Sequence, residues 1–279
     1  MDVRAIIEAG RVASRFQPIV QLSDGHVVAH EALARGPAGS ALETPRALFA
    51  AAAEQGSEHA LDAVCRASAL RAATDAGWAA GPDGPLFLNV RPGALLHDDF
   101  LPTLEHAVRA AGRTPRDVVL ELSEAERLDG GEVHAPLAAC RAAGFWIALD
   151  DVGAGRCGLH AIAEAVPDVV KVDRSLIAGM DAHRGRRAAV AALVQLAGEL
   201  GIVLVAEGIE TEGELRAARA LGAPLGQGFL LGLPAERPLP AGSVAAAFAP
   251  ADARPAPGAV TAPVLPRRRH LSPRPRRAG

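Results

Sequence analysis

Short apolar runs that alternate with helix-like segments constrain the fold of this 279-residue chain more than any other feature. Eight runs have the length and composition of β-strands, at residues 15–22, 27–35, 86–90, 118–122, 145–149, 169–172, 203–206 and 225–231. Helices are predicted between most of them, at residues 45–55, 58–76, 98–111, 132–143, 158–165, 183–200 and 211–221. This alternation implies a largely parallel sheet, and eight units in about 240 residues fit an α/β fold of the (β/α)8, TIM-like barrel type.

Composition restricts the compartment in which the chain would work. Hydrophobic residues make up 49% of the sequence, which is enough for one large barrel core. Cys65, Cys140 and Cys157 are an odd number without metal-binding spacing, so a reducing compartment is favoured over a disulfide scaffold. The N-terminal segment lacks the apolar core of a signal peptide, and no stretch reaches the roughly 18 apolar residues of a membrane helix. We therefore predict a cytoplasmic protein that does not interact with membranes.

Charge is distributed unevenly along the chain. Residues 251–279 contain seven arginines, one aspartate and six prolines, so this end carries a net charge of +6 and the remainder −9. We predict a barrel over residues 1–245 and a disordered Pro/Arg-rich tail over residues 246–279. The acidic body argues against nucleic-acid binding by the folded domain. The tail is either a solvated extension or a contact for an acidic partner or nucleic acid.

Polar side chains occur at or near the ends of seven successive predicted strands: Glu31, Asn89, Glu121, Asp150 with Asp151, Lys171, Glu207 and Gln227. In a TIM barrel these strand ends meet at one mouth, where catalytic residues collect. Buried carboxylates repel one another, and divalent cations relieve that repulsion. Oxygen ligands without His or Cys favour Mg²⁺ or Mn²⁺. The adjacent Asp150 and Asp151 would let one carboxylate bridge two ions, an arrangement used for phosphoester displacement.

Lys171 is the only lysine among the 29 basic residues counted as Lys or Arg. It lies inside an apolar strand, where a buried charge is costly unless a partner compensates it. A compact ammonium fits where a planar guanidinium does not, which favours a functional role over a chance survivor of codon bias paired with Asp173.

Arg35 shares a face with Glu31 and suits a substrate phosphate. His30 faces away from Glu31, so we predict that it is structural.

The ordered set of motifs resembles the EAL-domain family of cyclic di-GMP phosphodiesterases. The matching stretches are FQPIV (16–20), EALAR (31–35), LNV (88–90), ELSE (121–124), LDDVGAG (149–155), VKVDRSLI (170–177), VAEGIE (205–210) and GQGFLLGLP (226–234). The resemblance implies a barrel whose first strand is antiparallel to the others. It also implies metal-dependent hydrolysis of cyclic di-GMP to linear pGpG, which lowers the level of this second messenger.

The resemblance further implies roles for individual residues. One ion would be held by Glu31, Asn89, Glu121 and Asp150, and a second by Asp150, Asp151 and Glu207. The catalytic set would be Lys171, which orients the attacking water, Glu207 as general base, and Asp151. The nucleotide would be contacted by Gln17, Leu33, Arg35 and Gln227, and Glu124 would brace the loop after the two aspartates. The two ions would be Mg²⁺ or Mn²⁺, with Ca²⁺ inhibitory, and the protein would form a homodimer controlled by an unknown regulatory partner.

The loop after the two aspartates departs from the family pattern, which is close to DDFGTGYSSL. This chain has DDVGAGRCGL at residues 150–159, and Ala154 lacks the hydroxyl group that would brace the loop to Glu124. The first alternative to an active enzyme is therefore a catalytically silent EAL domain that binds cyclic di-GMP or a protein. The second is an enolase-like metal barrel, which also combines carboxylates with a strand-borne lysine but leaves the paired aspartates unexplained.

Overall fold

The eight strands form a closed barrel in sequence order in a computed structural model that describes residues 2–78, 83–123, 132–154, 158–165, 167–240 and 242–248. The strands are Ala13–Gln21 (β1), Val27–Arg35 (β2), Leu86–Val90 (β3), Val118–Ser123 (β4), Trp146–Val152 (β5), Val169–Val172 (β6), Val203–Ala206 (β7) and Leu225–Gly226 (β8). The helices of the described part are Val3–Glu8 (α1), Pro45–Glu54 (α2), Glu58–Asp75 (α3), Phe100–Ala110 (α4), His134–Ala143 (α5), Gly158–Ala165 (α6), Arg174–Ile177 (α7), Arg184–Leu200 (α8) and Glu212–Ala220 (α9). Short 3₁₀ turns occupy Pro92–Leu96, Pro115–Asp117 and Ala246–Phe248.

Strand β1 is antiparallel to both of its neighbours, β2 and β8, whereas β2 to β8 pair in parallel. A short turn joins β1 to β2, and a connection of this length can only link antiparallel strands. The predicted barrel and its antiparallel first strand are therefore confirmed.

The barrel interior has an apolar lower part and a charged upper part. Alternation along β4 shows the cause: Val119 faces inward among the buried interior residues, and Glu121 faces inward one layer higher. Leu120 and Leu122 face outward and join the larger core between the strands and the helices. The apolar layers therefore close the barrel below and support the charged residues at its mouth.

Three of the helices and strands differ from the sequence-based expectation: the last strand is shorter, and helices α1 and α7 were not predicted. The last strand was predicted over residues 225–231 but ends at Gly226. Beyond Gln227 the chain passes so close to Ile209 that a Cβ at Gly228 would overlap the Ile209 backbone. The Leu230 amide then donates to the Ile209 carbonyl, so the hydrogen bonding of the β-sheet does not continue. Helix α1 was not predicted; Asp2 caps it, and Val3 packs against α2 and α3.

The segment after β8 covers the β1–β2 hairpin, where a short turn replaces the usual crossover helix. Ala235 pairs with Phe16, and the Leu239 amide donates to His30 Nε2 at 3.0 Å. His30 is buried on the side away from Glu31, and burial lowers its pKa to about 4, so it has the predicted structural role. Folded structure continues to Phe248, whose ring lies under the Arg219 guanidinium. Folded structure thus extends three residues into the predicted tail, and residues 249–279 lie outside the described residues, so the domain division stays a prediction.

Candidate active site

The carboxyl ends of the parallel strands bring the predicted charged residues together at one mouth of the barrel. Glu31 lies in β2, Glu121 in β4, Asp150 in β5 and Lys171 in β6, and Glu207 directly follows β7. The parallel register places Asn89 of β3 opposite Glu121. Each side chain occupies an inward-facing position just above the apolar layers, so the mouth predicted from strand order is present.

Lys171 is the centre of this cluster. Its Nζ lies 3.0 Å from Glu31 Oε2, 2.6 Å from Glu207 Oε1 and 3.6 Å from Asp150 Oδ1, and it also contacts Glu121 Oε1. The side chain of Lys171 is only 1% exposed. Burial opposes its charge, but the surrounding acids outweigh burial and raise the Lys171 pKa well above its usual value. One ammonium therefore faces four carboxylates, and the cluster has an excess of negative charge.

The cost of holding several acids together is greatest at Glu121. Burial, followed by the neighbouring Glu31, raises the pKa of Glu121 well above 4.5. Its Oε1 contacts the Lys171 ammonium, and its buried Oε2 accepts no hydrogen bond within the described structure. Buried acceptors without hydrogen bonds are rare, and a hard cation satisfies them. The oxygen-rich donor set thus fits the divalent metal ions expected from the sequence.

Glu207 and Glu31 differ in their electrostatics. Burial raises the pKa of Glu207 well above 4.5, and the nearby Asp150 acts in the same direction against Lys171. For Glu31 burial also disfavours the charge, but Lys171, Gln227 and Asn89 outweigh it and lower the pKa. Glu31 is thus held as a carboxylate, and Glu207 has the higher affinity for a proton.

Two glutamines hold Glu31 in place. Gln227 Nε2 donates to Glu31 Oε2 at 2.7 Å and lies 3.1 Å from Gln17 Oε1, while Gln17 Nε2 donates to the Gly232 carbonyl at 3.0 Å. Asn89 Nδ2 donates to Glu31 Oε1 at 3.1 Å. The sequence predicted that Gln17 and Gln227 contact a nucleotide, which stays a prediction; in this structure their amides support Glu31.

Asp150 and Asp151 both reach the site because the backbone leaves regular strand geometry between them. Adjacent residues of a strand normally face opposite sides. Here Asp151 has a positive φ of 58°, and the pairing of β5 with β6 shifts register between Leu149 and Val152. Asp is among the non-glycine residues that tolerate this conformation. Gly153 follows with φ 105°, and a Cβ there would collide with Leu176, so the turn requires glycine.

Two groups of carboxylates have the spacing of a metal site: Glu31 with Glu121 and Glu207, and Asp150 with Asp151 and Glu207. In each group, one ligand atom per residue lies within 4.8 Å of the others. The second group is the ligand set expected for the second ion. In the first group Glu207 stands where Asn89 and Asp150 were expected, so the division of ligands between two ions stays a prediction.

A cavity of about 1100 Å³ opens beside the cluster. Its lining includes Leu33, Asn89 and Asp151, together with Phe49 and Arg91, which the sequence analysis did not identify. Arg91 Nη1 donates to Glu58 Oε1 at 2.6 Å. The sequence could have identified Arg91 as a site residue, because it comes two residues after Asn89 and alternation places the two on one face.

Of the residues predicted to contact the nucleotide or brace the loop, Gln17, Arg35 and Gln227 do not line this cavity, and Glu124 cannot be placed. Arg35 lines a neighbouring groove with Phe229 and Leu233, and its Nη1 donates to the Ala34 carbonyl at 2.8 Å. Glu124 lies outside the described residues. The phosphate contact of Arg35 and the bracing role of Glu124 therefore stay predictions.

Comparison with known proteins agrees with this geometry. The EAL domain family matches residues 2–234. The Pseudomonas aeruginosa bifunctional diguanylate cyclase/cyclic di-GMP phosphodiesterase MucR is 29% identical over 89% of this chain and 36% of its own length. The Escherichia coli blue light- and temperature-regulated antirepressor BluF is 26% identical over 77% of this chain and 52% of its own length.

Solved structures give the same result. The calcium and cyclic di-GMP complex of Klebsiella pneumoniae BlrP1 superimposes with a TM-score of 0.74 at 34% identity, covering 81% of this chain and 56% of that one. This chain spans about a third of the length of the first curated relatives that it matches. In the described residues, no helix combines the length and apolar character needed to cross a bilayer.

Proposed function

This chain belongs to the EAL domain family, and on that premise we propose that it hydrolyses cyclic di-GMP to linear pGpG in a reaction that requires divalent metal ions. The observation that carries the proposal is the contact of Lys171 with four carboxylates from four segments of the barrel. A purely structural pair would need one carboxylate, whereas metal-assisted phosphoester hydrolysis needs several oxygen ligands around one reacting centre.

The metal ligands in the proposal are those named from the resemblance. Glu31, Asn89, Glu121 and Asp150 would hold one ion, and Asp150, Asp151 and Glu207 would hold the other. When bound, Mg²⁺ or Mn²⁺ supplies Lewis acidity that makes water more acidic and draws charge from the phosphodiester. The buried Oε2 of Glu121, which accepts no hydrogen bond in the described structure, supports this assignment.

The residues of the chain position the water and move its proton. Lys171 Nζ donates a hydrogen bond to the attacking water. Glu207, whose Oε1 lies 2.6 Å from Lys171 Nζ, accepts a proton from that water. The water oxygen forms a bond to phosphorus, the bond from phosphorus to the 3′ oxygen breaks, and that oxygen takes up a proton from solvent. Gln17, Leu33, Arg35 and Gln227 contact the nucleotide. The cavity beside the cluster provides space for the bound dinucleotide.

A direct assay tests the proposal. Purified chain is incubated with cyclic di-GMP and Mn²⁺ or Mg²⁺, and pGpG is measured by chromatography. We expect release of pGpG that stops when a chelator removes the metal and when Ca²⁺ replaces it. The Glu212→Ala variant is the control, because Glu212 is exposed and, among the described residues, pairs with Arg216 at the surface. Absence of product with both metals would reject the enzyme.

A second candidate is a catalytically silent EAL domain that signals by binding cyclic di-GMP. The observation in its favour is that BluF, a relative over most of this chain, is named an antirepressor. Calorimetry with cyclic di-GMP in Ca²⁺ separates the candidates when combined with the product assay. Binding without any pGpG release would favour the silent domain. The homodimer, the regulatory partner and the cytoplasmic location stay predictions.

A further inference from the structure

A second set of metal-binding side chains lies apart from the carboxylate cluster, and it contains nitrogen ligands. His59 is in the first turn of α3, His97 ends the Pro92–Leu96 turn, and Asp99 immediately precedes α4. One nitrogen of each ring and one oxygen of Asp99 lie within 4.8 Å of one another. Three potential ligands from two distant segments therefore converge where α3 and α4 begin.

The contacts within this set are unusual for surface residues. The His59 and His97 rings stack with centroids 3.7 Å apart and an angle of 17° between their planes. His59 Nε2 lies 3.1 Å from Asp99 Oδ1, and the other ring nitrogen, Nδ1, is buried without a hydrogen-bond partner in the described structure. These contacts hold both rings beside one carboxylate oxygen and leave one ring nitrogen of His59 without a hydrogen bond among the described residues.

Asp99 provides an independent indication. It occupies the N-cap position of α4, where an aspartate normally accepts a hydrogen bond from a backbone amide of the first turn. Here its side chain makes no such capping bond and is directed across to His59. The carboxylate has therefore been turned away from its usual local partner and towards the pair of histidines.

We propose that His59, His97 and Asp99 form a binding site for Zn²⁺ that joins the start of α3 to the start of α4. Two imidazoles and one carboxylate suit zinc, with a water completing four-coordination, and they do not suit Mg²⁺. Ligand atoms of a tetrahedral zinc site are about 3.3 Å apart. The set closes when its ligand atoms move by about 1.5 Å or less and the stacked rings rotate so that both nitrogen lone pairs point at the ion. His59 is 28% and Asp99 69% exposed, which gives the ion access from solvent.

The position of this site connects it to the cavity wall. His59 follows Glu58, which binds Arg91 at 2.6 Å, and Arg91 lies two residues after Asn89. Bound Zn²⁺ holds α3 and the Pro92–Leu96 turn together at the edge of the cavity. The Zn²⁺ site is separate from the proposed Mg²⁺ or Mn²⁺ site and does not depend on hydrolysis of cyclic di-GMP.

Equilibrium dialysis of the full chain without a histidine tag tests the site, with Zn²⁺ in the presence of excess Mg²⁺. We expect about one Zn²⁺ per chain, and at least a tenfold loss of affinity in His97→Gln and Asp99→Asn, because even an outer-shell change costs 10–100-fold. His106→Gln is the matched control, since His106 is exposed on α4 and outside the set. It should bind Zn²⁺ like the wild type.

Visible absorption of bound Co²⁺ checks the ligands directly, because nitrogen coordination changes the cobalt spectrum. The Asp99→Asn variant preserves the shape of the side chain, so circular dichroism should show an unchanged fold. Glu121→Ala, which weakens the oxygen site, should retain zinc binding. Equal zinc affinity in wild type and His97→Gln, or no zinc bound by the wild type in excess Mg²⁺, would overturn the proposal.

Discussion

Two buried cations of this protein are compensated in opposite ways. Arg66 contacts Asp62 one helical turn away on α3, and its Cζ also lies 4.8 Å from the centroid of the Phe100 ring. Lys171 contacts four carboxylates that come from separate segments of the barrel. The first arrangement is local and neutral, whereas the second is non-local and has excess acid. Burial of a charged side chain therefore does not by itself indicate a functional site. An excess of buried carboxylates that only a further cation can neutralise does indicate one.

The largest difference between the two regions should appear when an acid is removed from each. For Glu121→Ala we expect the fold to persist, Mn²⁺ affinity to fall and turnover to drop at least about 10³-fold, or roughly 4 kcal/mol. The reason is that a hard-cation ligand is lost while repulsion in the metal-free cluster is relieved. Glu31→Ala should behave in the same way. Calorimetry and product release measure both effects, and normal Mn²⁺ affinity in either variant contradicts the ligand assignment.

The corresponding change at the local pair is Asp62→Asn, which should affect stability and leave metal binding intact. It leaves the Arg66 guanidinium buried without its carboxylate, and breaking a buried pair costs about 3–5 kcal/mol. Urea unfolding of the metal-loaded protein measures the loss. Replacing both residues, with Asp62→Asn and Arg66→Met together, should recover part of it. A loss below about 1 kcal/mol, the value typical of a surface pair, would show that this pair is not structural.

The third test keeps the charge of the Lys171 cluster and changes only its shape. Lys171→Arg places a wider, planar cation among the carboxylates, where it seeks a bidentate partner such as Asp150. A displaced nucleophile costs on the order of 10²-fold in rate, so kcat should fall at least that much while cyclic di-GMP binding in Ca²⁺ changes only a few-fold. Single-turnover hydrolysis in saturating Mn²⁺ measures the step. Equal rates would make Lys171 a structural charge, like Arg66.

The smallest effect is a pH dependence of the metal-free protein. The pKa of Glu121 is raised above 4.5 by burial and by Glu31, so between the two values the folded state holds a proton that the unfolded chain has released. The stability of the folded state should therefore fall as pH rises above about 4.5, the ordinary value for a glutamate. Thermal unfolding in a chelator measures this slope. Glu121→Gln should flatten it, and an unchanged slope would assign the effect to other groups.

The strands, their order and the chemical type of the site could be predicted from the amino-acid sequence. Apolar alternation is a local property, and parallel strands in chain order bring Glu31, Asn89, Glu121, Asp150 and Glu207 to one mouth without further information. The motifs also identified the family over nearly the whole folded part. Helix and strand bounds agreed within a few residues except at β8, whose end depends on the contact of Gly228 with Ile209.

Tertiary structure decided which groups touch. Packing between strands that are far apart in the chain brings four carboxylates to Lys171 and Gln227 to Glu31. The same packing accompanies the positive φ that brings Asp151 to the same side as Asp150. The convergence of His59 with His97 and Asp99 is another example, because 38 and 40 residues separate them. Periodicity reports only which face a residue occupies. The distances between side chains on different strands and helices are set when the barrel closes and its helices pack. No local sequence pattern contains those distances.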